Sequence, residues 1–90
     1  MSLNRIKRAI KSGSFRIGEH FLEELASDRL TLNDAIYSIL NSVEFDKLTD
    51  DASHIRYRIY GSTAEGREIV TIVFLIRGVP FLKTVYEPRF

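Results

Sequence analysis

Three side chains of one predicted helix have the types and the spacing that proton transfer requires. His20 is one of only two histidines in the 90-residue sequence, and Glu23 and Glu24 follow it by three and four residues. Residues with this spacing are neighbours on a helix surface. Because imidazole titrates near neutral pH, a carboxylate that holds the ring would prepare His20 to act as a general base. The alternative is a surface histidine that bonds to the backbone or to a glutamate and does no chemistry.

A second group of candidates lies on a predicted strand. Apolar and polar residues alternate from Ile55 to Tyr60, so we expect Arg56, Arg58 and Tyr60 to share one outward face. Two residues of strand rise place the arginines about 7 Å apart, close to the phosphate spacing of a single strand. The arginines would contact RNA phosphates, and the tyrosine would stack on a base. The alternative is a solvated face, or salt bridges from these arginines to acidic helices.

The last predicted strand supplies Lys83, Tyr86 and Glu87. We expect Lys83 to contact RNA, Tyr86 to be a general acid or a core residue, and Glu87 to act as a base. Lys83 and Tyr86 lie on opposite faces of a regular strand, so they share a site only if the strand twists or bulges. His54 lies in a polar loop and is expected to be inert. Because the sequence has no second ligand cluster near His20 and no Gly-rich phosphate loop, we predict neither a metal nor another cofactor.

The stretch from Glu68 to Ile76 must position these candidates, because it has the strongest strand composition of the chain. Both of its alternating sets of residues are apolar. We therefore expect it to lie in the middle of a sheet and to be covered on both faces. Helices would cover one face, and a partner chain or a second copy in a homodimer would cover the other.

Three amphipathic helices are predicted before the sheet. The first is a stripe of Leu3, Ile6 and Ile10 that ends at Ser12-Gly13-Ser14, and the second runs from Glu19 to about Ser27. The third begins at the N-cap Thr31, with Asp34 in a variant of the capping box. Its apolar positions are Leu32, Ile36, Ile39, Leu40 and Val43.

The remaining segments complete one small domain over residues 1–90. Phe15–Ile17 is predicted to be an extended link, and Val43–Leu48 an edge strand or an extended exit from the third helix. Helices followed by strands in a meander are typical of the α+β class. We therefore predict two to three N-terminal helices packed on a sheet of three to four antiparallel strands.

Composition and charge limit the partners, the metal sites and the cellular location that we predict for this domain. The net charge of +1 hides a division, since five basic residues and no acid precede Glu19, whereas residues 19–51 hold nine acids and two basic residues. Segregated charge steers a polyanion to one surface, although solvation alone also requires charge. The absence of cysteine excludes disulfides and thiolate metal sites. No segment has the length of a membrane span or the pattern of a secretion signal, so we expect a cytoplasmic protein without membrane contact.

Four segments resemble, in order, the motifs of the domain family of unknown function numbered four-two-five-eight. Phe15–Leu25 resembles its "F-x-x-x-E-H-A-x-x-x-M" opening, and Leu30–Ile36 resembles its "G-I-T-x-E-D-V" helix start. Tyr57–Gly61 resembles its "R-Y-x-x-x-G" strand, and Thr84–Pro88 its "T-A-Y-E-P" ending. The resemblance therefore spans nearly the whole chain.

This family is grouped with the BrnT-like and RelE-like toxins. The resemblance implies a RelE-like fold and a metal-independent ribonuclease of the mRNA interferase type, an endoribonuclease that an antitoxin protein holds in check. His20, Arg58, Tyr86 and Glu87 would then be catalytic. Glu24 stands where many members have Arg, and Tyr86 stands about where BrnT-like toxins carry Arg. These two differences keep open a second hypothesis, a non-catalytic protein- or RNA-binding module.

Overall fold

A computed structural model describes residues 3–49 and 55–88. Three helices and five strands lie in these residues: α1 (Leu3–Lys11), β1 (Arg16–Ile17), α2 (Glu19–Ser27), α3 (Leu32–Leu40), β2 (Glu44–Thr49), β3 (Ile55–Ser62), β4 (Glu68–Ile76) and β5 (Val79–Tyr86). The strands form one sheet in the order β1-β5-β4-β3-β2, with β1 parallel to β5 and the other pairs antiparallel. The predicted α+β class is confirmed, but the prediction of three to four antiparallel strands is wrong.

The additional strand is β1, which was predicted to be a link. Arg16 pairs with Phe81 and Ile17 with Leu82, and the Gly18 N–H then donates to the Leu82 carbonyl at 3.0 Å. With only two residues, β1 is too short for any alternation of apolar and polar residues to reveal it. The predicted edge position of β2 is confirmed, since it is the outer strand at the opposite side of the sheet.

The helices begin and end close to their predicted positions. Leu3, Ile6 and Ile10 of α1 are all buried. In α3, the Thr31 hydroxyl accepts from the Asp34 N–H at 3.1 Å, and the Asp34 carboxylate accepts from the Thr31 N–H at 2.8 Å, which confirms the capping box.

The prediction that Val43 is one of the apolar positions of α3 is wrong. The helix ends at Leu40, so the helical spacing no longer applies at Val43. The side chain of Val43 is 85% exposed, and it lies just before β2 begins.

All three helices pack against the same face of the sheet. The core there contains side chains from each helix and from β3, β4 and β5: Ile6, Phe21, Ile39, Tyr57, Ile59, Val73, Leu82 and Val85. A Cβ on Gly61 would lie 2.2 Å from the Ser38 carbonyl oxygen, so glycine is needed where β3 passes under α3. No helix among the described residues is long and apolar enough to cross a membrane.

The opposite face, here called the open face, carries Arg56, Arg58 and Tyr60 of β3 and the facing residues of its neighbours. On β4 these are Val70, which is buried, and Ile72 and Phe74, which are only half-buried. The prediction that β4 lies mid-sheet is confirmed. Ile72 and Phe74 on this face are partly exposed in the single chain, so the prediction that a partner chain or a second copy covers the open face stays a prediction.

Candidate active site

The residues predicted to form one site lie in separate parts of the molecule. Arg56 and Arg58 are on the open face of β3, between β2 and β4, whereas His20 is on α2 beside β5. The strand β4 separates β3 from β5, so the arginines stand two strand spacings, about 10 Å, from the last strand. Most of the candidates therefore belong to three separate groups.

Arg58 and Tyr60 form the first group with Asp46 of β2. One Asp46 carboxylate oxygen accepts from the Tyr60 hydroxyl at 2.6 Å and from Arg58 Nη2 and Nε at 2.8 and 3.1 Å. The hydrogen bond from Tyr60, and then that from Arg58, lower the pKa of Asp46, while the bond to Asp46 raises the pKa of both partners. The charge of Arg58 is thus compensated, by a neighbouring strand rather than by the acidic helices.

Arg56 lies on the same face, two residues before Arg58. Its guanidinium carbon is 5.7 Å from the centre of the Phe74 ring, a distance typical of a cation–π contact. One arginine of the predicted RNA face is therefore engaged by a carboxylate and the other covers an aromatic ring.

Glu87 forms the second group with Arg67. Its two carboxylate oxygens accept from Arg67 Nη2 at 2.5 Å and from Nε at 3.2 Å, and this contact raises the pKa of Arg67. Arg67 also donates to the carbonyls of Asp28 and Arg29, at 2.7 and 3.1 Å. Because these carbonyls lie just after α2, Arg67 connects the end of that helix to the residues that follow β5.

His20 and Glu24 form the third group, and β5 anchors it. One Glu24 carboxylate oxygen accepts from the Thr84 hydroxyl and, at 3.2 Å, from the Val85 N–H. The other oxygen lies 3.5 Å from His20 Nε2. The side chain of Glu24 is only 23% exposed, whereas that of His20 is 65% exposed. The strand therefore fixes the carboxylate, and the carboxylate faces an imidazole that solvent can reach.

Lys83 precedes Thr84 in β5, at a point where the strand contains a bulge. The register shifts between Ile72 and Val73 of the facing strand, and two residues instead of one separate the buried Leu82 and Val85. Lys83 and Tyr86 consequently lie on the same side of β5, both exposed, which was predicted only on the condition of a bulge.

The helix α2 runs alongside β5, and its contacts with this strand determine how far along β5 His20 lies. Gly18 contacts Leu82 before α2 begins, and Glu24 contacts Val85 farther along both elements. His20 follows Gly18 by two residues, so it lies at the level of Lys83. We call His20, Glu24, Lys83 and Thr84 the edge cluster.

Sequence reasoning found the His20–Glu24 spacing but not the anchor of Glu24. The hydrogen bond from Thr84 to Glu24 joins residues 60 positions apart, and no local sequence pattern predicts such a contact. Asp46 was also missed, because its role depends on the register between β2 and β3.

Comparisons with known proteins give no assignment, since no family model, curated protein or solved structure matches the chain. The resemblance to the four-two-five-eight family therefore stays a prediction. Within residues 3–49 and 55–88, no group of three or more His, Cys, Asp and Glu side chains is placed to hold a metal ion.

Proposed function

We propose that this protein is a toxin-like, metal-independent endoribonuclease with a RelE-like fold, and that its catalytic base is His20. One observation carries the proposal: the Glu24 carboxylate is anchored to β5 and faces the exposed His20 imidazole. A base that a fixed second group orients is a recurring feature of sites for general base catalysis. A separation of 3.5 Å is compatible with this role, because such contacts often shorten when substrate binds.

The edge cluster can divide the reaction among its residues. His20 takes the proton of an RNA 2′-hydroxyl, and the 2′ oxygen then attacks the adjacent phosphorus. The bond from phosphorus to the 5′ oxygen breaks, and that oxygen takes a proton from solvent. Glu24 stabilises the imidazolium that forms, and Lys83, which precedes Thr84 in β5, balances the charge that develops on the phosphate.

The overall architecture also supports the proposal. Helices packed on one face of a small, largely antiparallel sheet are what the resemblance to RelE-like toxins implies. Glu24, which replaces the arginine of many family members, here supplies the group that orients His20. An antitoxin protein that restrains this activity in the cytoplasm belongs to the same proposal.

Cleavage of RNA by the purified protein tests the proposal directly. We expect the wild type to cut single-stranded RNA equally with and without a chelator. His20→Ala should reduce the rate by about 100-fold or more, the usual contribution of a general base. Glu24→Gln, which keeps an acceptor for Thr84 and Val85, should reduce it by about tenfold.

His54→Ala is the matched control, since it removes the other histidine of the chain, which lies outside the described residues. It should cut RNA at the wild-type rate. Equal rates for the wild type and His20→Ala, or a wild-type protein that leaves RNA intact, would contradict the proposal.

A second candidate function is a non-catalytic protein-binding module. Asp46 compensates Arg58, and the open face shows half-exposed apolar side chains, with Ile76 43% and Val79 38% exposed. Such a surface suits a protein partner better than a polyanion. In that case expression in bacteria should leave growth normal, whereas an active ribonuclease should stop growth and His20→Ala should restore it.

A further inference from the structure

The outer edge of β2 is open to pairing. Its inner edge pairs with β3 over all six residues, from Glu44 to Thr49, and no described strand lies on its other side. Four of the six residues are exposed, and Asp46 and Leu48 are partly buried. An edge of this kind has free backbone donors and acceptors that can form hydrogen bonds with an added strand.

A second copy of β2 is an unsuitable partner. In a two-fold antiparallel pair, residues on the open face must oppose residues on the open face. Two such registers pair five of the six residues of β2. One leaves Thr49 unpaired and places Asp46 opposite Asp46 of the second copy, and the other leaves Glu44 unpaired and places Lys47 opposite Lys47. Like charges directly opposite each other are destabilising. The charges of β2 therefore select against pairing with itself and leave the edge for a different sequence.

A groove with two glutamates in its lining adjoins the first residue of this edge. It encloses about 540 Å³, and its lining includes Tyr37, Val43, Glu44, Tyr60 and Glu68. The two glutamates are exposed, and the Tyr37 ring is 45% exposed. Carboxylates combined with tyrosine rings favour an arginine or lysine side chain, through ion pairing and cation–π contact.

We propose that the β2 edge binds an extended segment of another protein, which joins the sheet as an additional strand. On the open face, the segment has basic side chains opposite Glu44 and Asp46 and an apolar side chain opposite Leu48, which alternate with residues on the other face. The basic side chain opposite Glu44 enters the groove. This binding is separate from RNA cleavage, because β2 and β5 lie on opposite sides of the sheet centre.

A labelled synthetic peptide tests the proposal with the full-length protein. The peptide has eight residues, with lysine at the two positions opposite Glu44 and Asp46 and valine at the others, and a control peptide has glutamate in place of each lysine. We expect the lysine peptide to bind, as measured by fluorescence anisotropy, and the glutamate peptide to show no binding at millimolar concentration. Bound peptide should slow amide hydrogen exchange in β2, because the outward N–H groups gain acceptors.

Paired charge reversals separate local binding from the effect of net charge. Glu44→Lys should lower the affinity for the lysine peptide by at least tenfold. Glu23→Lys on α2 makes the same change in net charge and should change this affinity less than twofold. Glu44→Gln provides a milder variant if the reversal disturbs folding. The proposal would be overturned if the lysine peptide did not bind, or if the two charge reversals lowered its affinity equally. It would also be overturned if bound peptide slowed amide hydrogen exchange only outside β2.

Discussion

The two edges of the sheet deal with the same physical problem in opposite ways. Beside β5, the chain itself occupies the edge: β1 pairs with two residues, the Gly18 N–H reaches Leu82, and Glu24 accepts from Val85. Beside β2, no described residue takes this role, and charged side chains occupy the strand instead. Unpaired edges invite unwanted association, which either solution prevents.

The difference shows how an edge can acquire a function. Closing the β5 edge with a carboxylate also fixes that carboxylate, and His20 gains an oriented partner from a bond that the sheet needs. Protecting the β2 edge with charge leaves its backbone accessible to a partner of suitable sequence. The closed edge is therefore our candidate for chemistry, and the open edge our candidate for recognition.

The largest expected effect is a difference in stability between two variants, each of which lacks one acid at one of the two edges. Glu24→Ala leaves the Thr84 hydroxyl and the Val85 N–H without their acceptor, so we expect the free energy of unfolding to fall by about 2–3 kcal/mol. Glu44→Ala removes an exposed acid and should change it by less than about 0.5 kcal/mol. Urea unfolding of both variants measures the difference.

Glu24→Gln serves as the control within this pair. The amide oxygen still accepts from β5, so the loss of stability should be smaller than for Glu24→Ala. Equal losses for Glu24→Ala and Glu44→Ala would show that Glu24 does not close the edge.

The sequence predicted those parts of the fold that depend on local patterns. The bounds of α2 and the capping box of Thr31 and Asp34 follow from neighbouring residues, and both are confirmed. The two residues of β1 have no such pattern, because their strand character comes only from pairing with β5. The alternation in β4 shows two apolar faces, but it cannot show whether a second layer covers both of them.

The candidate site was predictable only in part, for the same reason. His20 and Glu24 are one helical turn apart, so their proximity was expected from spacing alone. The partner of Arg58 is Asp46, twelve residues earlier, and only the register of two strands brings them together. The bulge that brings Lys83 to the exposed side of β5 is likewise a property of strand pairing.

A substitution in the middle of the sheet should affect neither edge. Thr71 is 1% exposed, and its hydroxyl has no hydrogen-bond partner in the described parts of the chain. Thr71→Val replaces this buried polar group with a methyl group of similar size, so we expect the free energy of unfolding to rise by about 1 kcal/mol. Thermal and urea unfolding would measure this gain, and RNA cleavage and peptide binding should stay at wild-type levels. A loss of stability would mean that the hydroxyl has a partner, such as a bound water.

The smallest expected effect concerns Asp46, which ties β2 to β3 through Tyr60 and Arg58. These bonds lower the pKa of Asp46 below its ordinary value of 3.8. Because the folded state favours the ionised form, the contribution to stability is complete above the unfolded-state pKa and is lost as the pH falls through the folded-state pKa. The difference in stability between the wild type and Asp46→Asn should therefore be constant near neutral pH and shrink below pH 3.8.

Amide hydrogen exchange measured across the same pH range distinguishes the two edges. Protonation of Asp46 weakens the bonds that hold β2, so the protection of β2 amides should decrease relative to the other strands as the pH falls below 3.8. The Gly18 amide, which bonds to the backbone of β5, should keep its protection relative to β4. If β2 and Gly18 lose protection together, the edges open as one unit, and a partner at β2 would then affect the orientation of His20.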